Sequence, residues 1–409
     1  MSPSYRQATA LLSCIVVTLL AGCDSDPSGP ISDPNFAAVS CADISGACVQ
    51  VQPGDSEGLQ EATQLVEADG TIVLGKGRFD LDNQVTIRNA DGVSLLGQGI
   101  DETVLSFTNQ KIQANGVDVI GDRFRAEGMT IEDAKKDALR VEDSTGVTIR
   151  RVKVNWTGGP KKENGAYGLY PVRCVDVLVE ECEAYNASDA GIYIGQSRNA
   201  IVRNNIAKRN VAGMEIENTQ FADVYGNLAE DNTAGLAVFD LPGNPVIGRD
   251  VYVHDNVIRA NNRLNFAPGG TVRQVPAGTG TFILASRRVE FTNNVYEDNN
   301  TVDIAVLSGL AIEGKAKKWI LPKEKLVGDS SGLELPGNAT SVSNYRSSDV
   351  YLHDNKHSGG GTAPDQDNPF IRPLGFLLAV TFGSTPVDSI VYDGWDESSF
   401  HPTDLDKNT

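Results

Sequence analysis

The chain has 409 residues and a formal net charge of −19, from 54 acidic and 35 basic side chains. Such a charge disfavours nucleic acids and other broadly anionic surfaces as partners, whereas it permits cation binding. The length is sufficient for two ordinary domains or for one solenoid, which grows by adding repeats to a single core.

The first 22 residues have the pattern of an export signal. Arg6 supplies a positive charge, and Leu11 to Leu20 is an apolar run too short to span a bilayer. The run ends in Leu20-Ala21-Gly22-Cys23, which resembles the bacterial lipobox. This resemblance implies that residues 1–22 are removed and that a lipid on Cys23 attaches the protein to a membrane of the cell envelope; an ordinary signal peptide is the alternative. Residues 23–40 are predicted to be a flexible tether.

The cysteines fit an exported protein. Cys41 and Cys48 lie close together in the N-terminal segment 41–70, and an oxidising compartment favours a disulfide between them over free thiols. Cys174 and Cys182 are predicted to be small packing residues. The four histidines are scattered, so no histidine-based metal site is predicted.

A capping helix is predicted from Ser56 to Asp69. Its apolar residues share one helical face, Ser56 is the predicted N-cap and Gly70 the predicted stop. Such a helix would cover the open edge of the first turn of a solenoid. The residues on the apolar face are Leu59, Ala62, Leu65 and Val66.

A repeat of about 22 residues follows. Gly191-Ile192-Tyr193-Ile194, Gly213-Met214-Glu215-Ile216 and Gly235-Leu236-Ala237-Val238 recur 22 residues apart. Asn205 and Asn227 recur at the same spacing, and after longer insertions Asn256, Asn294 and Asn355 continue the column, with Cys182 in the equivalent place one turn earlier. Stacked asparagines can pass side-chain amide hydrogen bonds from turn to turn, so an asparagine ladder is predicted. Short alternating strands without helices between them predict an all-β parallel β-helix over residues 71–310. Residues 311–409 are predicted to contain a long excursion, one last turn near 348–357 and a C-terminal cap.

This pattern resembles the pectin-lyase-like superfamily, whose members are right-handed parallel β-helices. More narrowly, it resembles bacterial parallel β-helix repeat proteins that are exported and often lipoproteins. The motifs that carry this resemblance include Asn155 to Pro160, Asn164 to Val172, Ser188 to Ser197, Glu215 to Thr219 and Val238 to Gly243. The narrower family has no settled activity, and the resemblance implies an exported c-type cytochrome as a partner.

Another branch of the superfamily modifies alginate and carries Tyr-Gly-Ile/Val-Asp-Pro-His in one turn. The matching turn here is Tyr167 to Val172, and it has Tyr170 and Val172 where that branch has its active-site Asp and His. The departure argues against the same chemistry.

Strand alternation places a column of polar side chains on the outside of the coil. Arg140, Tyr170, Tyr193 and Glu215 form this column, and Arg173, Gln196, Asn218 and Asp240 recur farther along the same face. The insertion 156–165 is predicted to rise beside them. It carries Trp156, and its Lys161 and Lys162 form a basic cluster with Arg150, Arg151 and Lys153, which precede the insertion.

The functional hypothesis is a groove for an acidic polysaccharide, and the sequence leaves open whether the protein is an enzyme. Trp156, Tyr170 and Tyr193 would stack on sugar rings, and Arg140 and Arg173 would bind carboxylates. Lys161, Gln196, Asn218 and Asp240 complete the predicted binding set, with turn capping the alternative for Asp240. In a lyase or epimerase, Tyr193 would be the base, Arg140 or Arg173 the stabiliser, and Glu215 a helper or metal ligand.

Two alternatives remain open. The column could be an ordinary solvated sheet face, in which case the protein would be a non-catalytic binding or scaffold protein. Calcium is also left open by acidic clusters that have no calcium-loop signature, for which a solvated acidic edge is the alternative. These clusters are Asp122, Glu127, Glu132 and Asp133, and Glu180, Glu181 and Glu183.

Overall fold

A computed structural model describes residues 37–88, 91–328 and 339–393. The predicted export signal and the lipid attachment at Cys23 lie outside these residues. Within them, none of the helices has the length and apolar character needed to cross a membrane.

Strands dominate the fold, and two α-helices lie near its ends. In chain order, the N-terminal half contains β1 (Cys48–Val51), α1 (Ser56–Leu65), β2 (Thr71–Leu74), β3 (Gly77–Asp80), β4 (Val85–Arg88), β5 (Ser94–Leu96), β6 (Thr103–Ser106), β7 (Val117–Ile120), β8 (Arg125–Glu132), β9 (Leu139–Glu142), β10 (Thr145–Asn155), β11 (Leu169–Val172), β12 (Val175–Glu180), β13 (Glu183–Tyr185) and β14 (Ala190–Gly195). The remainder contains β15 (Arg198–Arg203), β16 (Ile206–Lys208), β17 (Ala212–Glu217), β18 (Gln220–Tyr225), β19 (Leu228–Glu230), β20 (Ala234–Phe239), β21 (Arg249–His254), β22 (Val257–Arg259), β23 (Thr279–Leu284), β24 (Arg287–Thr292), β25 (Val295–Glu297), β26 (Val302–Leu307), β27 (Ile320–Pro322), β28 (Ser341–Ser343), β29 (Ser348–His353), β30 (Lys356–Ser358), α2 (Pro373–Phe382) and β31 (Ile390–Tyr392).

The strands form a right-handed parallel β-solenoid of about ten turns, which confirms the predicted fold. Sheet B contains ten strands, in the order β31-β26-β23-β20-β17-β14-β11-β9-β7-β4, so that neighbouring strands come from successive turns. Sheet A contains the other nineteen parallel strands, and β27 and β28 form a separate antiparallel pair.

The core runs along the inside of the coil. In sheet B, Leu139, Leu169, Ile192, Met214 and Leu236 are register partners on successive turns, and all are fully or almost fully buried. Because alternate residues of a strand face opposite sides, the residues between them point outward. The apolar columns therefore determine which side chains reach the outer face.

The predicted asparagine ladder is present. The Nδ2 atoms of Asn205, Asn227 and Asn256 each donate to the Oδ1 atom of the next asparagine at 2.9 Å, and Asn294 donates to Asn355 at 3.0 Å. The backbone N–H of Cys182 donates to Asn205, as its place in the column predicted. A second ladder runs five residues farther along, through Asn210, Asn232, Asn261 and Asn299.

The N-terminal end is close to the prediction but differs in detail. The Cys41–Cys48 disulfide is present, whereas Cys174 and Cys182 are free and buried. Helix α1 packs on the first strands through Leu59 and Ala62, but its N-cap is Asp55, which accepts a hydrogen bond from the Gly58 N–H. The prediction of Ser56 as N-cap is wrong because Asp55 offers the stronger acceptor one residue earlier. The helix also ends at Leu65, which is largely exposed.

Three segments leave the coil and cover the outer face of sheet B. They are the loop 260–278, the excursion after β26, and helix α2, which precedes the last strand of the sheet, β31. Their apolar residues, among them Val272, Val275, Trp319 and Leu378, form a second buried cluster with outward-facing side chains of sheet B. The outer face of sheet A carries no comparable buried apolar cluster among the described residues.

Candidate functional site

The predicted column lies on sheet B, in the predicted register. Arg140 pairs with Tyr170, Tyr193 with Glu215, and Glu215 with Ala237. Tyr170 and Tyr193 are likewise neighbours, because the residues preceding them, Leu169 and Ile192, are register partners. The spacing of 22 residues was sufficient to predict these neighbours.

The predicted exposure of this column is wrong for two of its members. Tyr193 is 3% exposed and Glu215 is 2% exposed. Tyr193 belongs to the second apolar cluster, together with Val272 and Val275 of the loop 260–278. At this point the outer face of sheet B is therefore buried beneath the loop 260–278. Tyr170, at the edge of the covered region, remains partly exposed.

Three tyrosine rings pack against one another at the edge of the covered region. The ring centroid of Tyr167 lies 4.6 Å from that of Tyr170 and 4.7 Å from that of Tyr193, and the Tyr170 and Tyr193 centroids are 4.9 Å apart. These distances are typical of stabilising aromatic pairs. Tyr167 and Tyr170 are partly exposed, so the cluster has faces that a ligand can reach.

Gly195 makes room for the ring of Tyr193. A Cβ atom at position 195 would lie 2.2 Å from the Tyr193 hydroxyl oxygen, so only glycine leaves that space free. The ring thereby extends along the strand toward Glu217, the register partner of Gly195. The Tyr193 hydroxyl acts as a donor to the Glu217 carboxylate, whose Oε1 atom also accepts a hydrogen bond of 3.0 Å from Asn244.

Carboxyl groups on this face have raised pKa values. Burial is the main cause for Glu215, with further contributions from the charges of Asp189 and Glu217. Burial also raises the pKa of Asp189, against a lowering contact with the Tyr167 hydroxyl. Glu217 is raised by burial to a pKa of about 7, although its contacts with Tyr193 and Asn244 oppose the shift. At neutral pH these groups therefore retain protons that exposed carboxylates would lose.

We define the tyrosine–carboxylate cluster as Tyr167, Tyr170, Tyr193, Asp189, Glu215 and Glu217. Among the described residues, no lysine or arginine counters the charge of Asp189, Glu215 or Glu217 directly. Buried carboxyl groups without a basic partner are unfavourable, and groups with such shifted pKa values are common at functional sites.

The two predicted arginine stabilisers are already paired. Arg140 contacts Asp118 at 2.8 Å and Glu142 at 2.6 Å. Arg173 contacts Asp143 at 2.7 Å and also pairs with Glu142. Asp118 lies 22 residues before Arg140 and is its register partner, so the repeat itself contained the signal for this pair. Both guanidinium groups are therefore occupied by protein carboxylates.

The predicted stacking role of Trp156 is wrong. Its side chain is 4% exposed, belongs to the main core cluster, and donates a hydrogen bond of 2.7 Å to the Ala134 carbonyl oxygen. Lys161 is exposed at the tip of the same insertion. The insertion thus contributes a core anchor rather than an aromatic binding face.

The predicted basic cluster is divided and partly neutralised. Arg150, Arg151 and Lys153 belong to β10 of sheet A, not to the sheet that carries the tyrosine–carboxylate cluster. Arg150 and Arg151 pair with Glu181 at 3.4 and 2.7 Å. Lys153 pairs with Asp101 at 2.9 Å. Lys162 lies 3.8 Å from Glu163.

The second recurring set lies at the turns that follow the strands of sheet B. Gln196 is partly buried, whereas Asn218 and Asp240 are fully buried. Asp240 accepts hydrogen bonds from the Gly248 N–H at 2.8 Å and from Asn344 at 2.7 Å, as expected for a residue that caps a turn. Burial raises its pKa to about 7. The polar atoms of Asn218 and Asp240 are thus engaged in hydrogen bonds within the protein, which does not fit direct binding of a substrate.

Metal binding is not supported by a defined set of ligands. Within residues 37–88, 91–328 and 339–393, no three His, Cys, Asp or Glu side chains are grouped in a way that could hold a metal ion.

The sequence matches the pattern of a right-handed β-helix region over residues 91–249 and, overlapping, 137–315. Together these matches span more than half of the chain. The chain belongs to this family.

Solved structures resemble this β-helix protein at low sequence identity. The A-module of mannuronan C-5 epimerase AlgE4 from Azotobacter vinelandii is 14% identical, covers 80% of this chain and 94% of its own, and has a TM-score of 0.42. An alginate lyase from Paenibacillus sp. str. FPU-7 is 11% identical, covers 75% and 99%, and has a TM-score of 0.42. A GH87 α-1,3-glucanase catalytic unit from Streptomyces thermodiastaticus strain HF3-3 is 13% identical, covers 66% and 57%, and has a TM-score of 0.43. No curated protein matches in sequence.

The sequence reasoning missed several members of the tyrosine–carboxylate cluster in this β-helix protein. Glu217 lies two residues after Glu215, so alternation alone places both on the same outer face. Asp189 and Tyr167 lie just before their strands and carried no comparable signal. Their proximity depends on how the turns stack, as shown by the contact of the Tyr167 hydroxyl with Asp189.

Proposed function

We propose that this β-helix protein binds a carbohydrate at the tyrosine–carboxylate cluster and processes it by proton transfer, with an acidic polysaccharide as substrate. One observation carries the proposal: the carboxyl groups of Glu215 and Glu217, whose pKa values are raised by burial, lie directly beside three packed tyrosine rings. Tyrosine rings combine an apolar face with a polar edge, which suits contact with sugar rings. A carboxyl group with a pKa near 7 is suited to both giving and taking protons.

The chemistry starts with removal of the C5 proton of a uronic acid. Glu217, in its ionised form, takes this proton, and the electron pair moves into the C6 carboxylate to give an enolate-like intermediate. Glu215, kept protonated by burial, donates a hydrogen bond to the oxygen that gains charge. A carboxylic acid that is held neutral by its surroundings can stabilise an enolate in this way. Glu215 thereby takes the role that was predicted for Arg140 or Arg173.

Tyr193 acts as the proton donor in this scheme. Burial and nearby carboxylates raise its pKa well above its ordinary value, so the phenol keeps its proton and the predicted role as base is disfavoured. In a lyase, the C4–O4 bond breaks, a C4=C5 double bond forms, and Tyr193 protonates the departing oxygen. In an epimerase, Tyr193 returns a proton to the opposite face of C5. Both reactions require the same base and the same stabiliser.

The test is a panel of uronate polysaccharides, with ultraviolet absorbance reporting unsaturated products and NMR reporting epimerised residues. Glu217→Gln should lower turnover at least about 100-fold, because removal of a general base commonly costs that much. Glu290→Gln is the matched control, since Glu290 lies on sheet A and contacts His353 instead. No product from any substrate, or equal turnover by wild type and Glu217→Gln, would refute the proposal.

A non-catalytic function is favoured by the burial of the cluster, because a polymer reaches Tyr193 and Glu215 only if the loop 260–278 moves. In that case the protein binds a glycan or an exported partner, for which the family resemblance suggests a c-type cytochrome. Crosslinking in intact cells, followed by mass spectrometry, tests this alternative. Recovery of the monomer alone would count against a protein partner.

We also propose that a lipid on Cys23 anchors the protein in the cell envelope. The support is the motif Leu20-Ala21-Gly22-Cys23 in the sequence. Cys23→Ser should move the protein from the detergent phase to the aqueous phase in a phase-partition experiment. Equal partition of the two proteins would exclude the anchor.

A further inference from the structure

An apolar cavity of about 240 Å³ lies against the outer face of sheet B, on the C-terminal side of the tyrosine–carboxylate cluster. Sheet B forms its floor, the loop 260–278 forms one wall, and helix α2 forms another. The lining is mainly aliphatic and aromatic, with Asp393 as its one charged side chain. Its main apolar residues are Phe239, Val275, Phe282, Leu284, Leu374 and Leu377.

The cavity adjoins the tyrosine–carboxylate cluster in two places. Phe239, on its floor, is the register partner of Glu217, so the two residues lie on adjacent strands about 4.8 Å apart. The loop 260–278 also lies against both the cluster and the cavity. Gly270 lies against Asp189, since a Cβ atom added there would be 3.7 Å from Oδ2, and the next residue, Thr271, lines the cavity.

The cavity is also open to solvent on an apolar side. Leu377 of helix α2 is 54% exposed and Ala311 is exposed, yet both line the cavity. An apolar chain could therefore enter between helix α2 and the excursion that follows β26. For comparison, an apolar cavity of about 150 Å³ is large enough to bind benzene.

We propose that this cavity binds an alkyl or acyl chain that is attached to the saccharide held by the tyrosine–carboxylate cluster. The protein would then recognise an acylated or alkylated uronic-acid glycan, with the sugar on the tyrosines and the chain between sheet B and helix α2. The assignment of the sugar rests on the proposed function, whereas the assignment of the chain rests on the cavity. Asp393 and the neighbouring carboxyl groups make the cavity unsuitable for a free fatty-acid carboxylate, so the chain must arrive on a neutral linkage.

The experiment measures the affinity of alkyl β-D-glucuronides by calorimetry, from methyl to octyl, below their critical micelle concentrations. Each added methylene should tighten binding about fourfold until the cavity is full, after which affinity should level off. Ala311→Trp places a bulky side chain at the exposed opening and should remove the dependence on chain length. Lys315→Trp, an exposed position of the same excursion that does not line the cavity, should retain it.

The outcomes separate this inference from the proposed function. An affinity that does not change with chain length, or a dependence that Ala311→Trp leaves intact, overturns the cavity assignment even if uronate polysaccharides are processed. Chain-length dependence that Ala311→Trp removes supports the cavity, even if no polysaccharide is processed and the proposed reaction fails.

Discussion

The outward-facing residues of the two sheets differ in how far they are exposed to solvent. On sheet A, Tyr252 is 38% exposed and Tyr351 is 59% exposed. On sheet B, Tyr193 and Phe239 face outward from the coil in the same sense but are almost completely buried. The strands of both sheets follow the same alternating pattern, so strand geometry does not account for the difference. The segments outside the coil account for it, because the loop 260–278, the excursion and helix α2 cover sheet B.

Burial beneath the covering segments changes the pKa values of the acidic side chains on sheet B. On sheet A, acidic side chains have basic partners: Arg203 lies 2.6 Å from Glu180, and His353 lies 3.1 Å from Glu290. On sheet B, Glu215 and Glu217 are almost completely buried, no described lysine or arginine opposes their charges, and their pKa values rise. The segments that cover sheet B therefore create a site where carboxyl groups can exchange protons at neutral pH.

Replacement of outward-facing aromatic residues should show the largest difference between the two sheets. Phe239→Ala should lower the free energy of unfolding by about 4 kcal/mol, because it leaves a cavity next to the Phe282 ring, 5.5 Å away between centroids. Tyr252→Ala, the control on sheet A, should lower it by less than about 1 kcal/mol because the Tyr252 side chain is already exposed to water. Urea denaturation measures both values. Equal losses would mean that the covering segments do not pack on sheet B in solution.

The pH dependence of stability should reflect the buried carboxyl groups. The pKa of Glu217 is raised to about 7 in the folded protein, so its stabilising contribution is complete below the unfolded pKa, near 4.5, and is lost as the pH rises through about 7. That loss corresponds to about 3 kcal/mol. Glu217→Gln should therefore flatten the fall in unfolding free energy between pH 5 and pH 8, measured by urea titration.

Glu290→Gln on sheet A provides the control for this pH effect and should keep the wild-type dependence. Asp189, Glu215 and Asp240 act in the same direction as Glu217, so a reduced slope should remain in Glu217→Gln. If Glu217→Gln and wild type have the same slope, Glu217 is not protonated in the folded protein near neutral pH.

Much of the coil could be predicted from the sequence because its information is local and periodic. The spacing of 22 residues defines the turn, and alternation within strands defines which residues face the core. Together they predicted that Tyr193 and Glu215 are neighbours, and that Asn205 and Asn227 stack. The same period would have revealed the second asparagine ladder and the pairing of Arg140 with Asp118.

The burial of the site could not be predicted in the same way. Residues 260–278 and 373–382 follow no repeat, and nothing in their spacing indicates that they return to sheet B. Trp156 shows the same limit, because an aromatic residue at the start of an insertion can point into the core as readily as toward a ligand. Its hydrogen bond to the Ala134 carbonyl is a tertiary contact that depends on how the insertion folds.

Substitution of Gly195, which also lies in the covered region of sheet B, should have a smaller effect on stability. Gly195→Ala would place a methyl group on the Tyr193 hydroxyl, so the ring must move away from Glu217. We expect a loss of about 2 kcal/mol in unfolding free energy from overpacking. Because the Tyr193 contact lowers the pKa of Glu217, its loss should also shift the pH profile of kcat upward.

Gly314→Ala is the control for this substitution, because the nearest atom to an added Cβ there is 3.9 Å away. It should change neither the stability nor the pH profile. A Gly195→Ala protein with lower stability but an unchanged pH profile would show that Tyr193 packs beside Glu217 without affecting its protonation.

The smallest effect is expected for a charged side chain in a turn at the end of a sheet B strand, beyond the segments that cover the sheet. The Arg173 side chain is 43% exposed and pairs with Glu142 and with Asp143, half of whose side chain is in water. Arg173→Ala should change the unfolding free energy by less than about 1 kcal/mol, and less still at high salt, because exposed ion pairs are weak and screened. Arg140→Ala should cost more, since Arg140 contacts the buried carboxylate of Asp118. Urea titrations at low and high salt measure both losses. If the two substitutions cost the same, burial of the partner carboxylate does not determine the strength of these ion pairs. The contrast between covered and open faces would then apply only to the carboxyl groups of the tyrosine–carboxylate cluster.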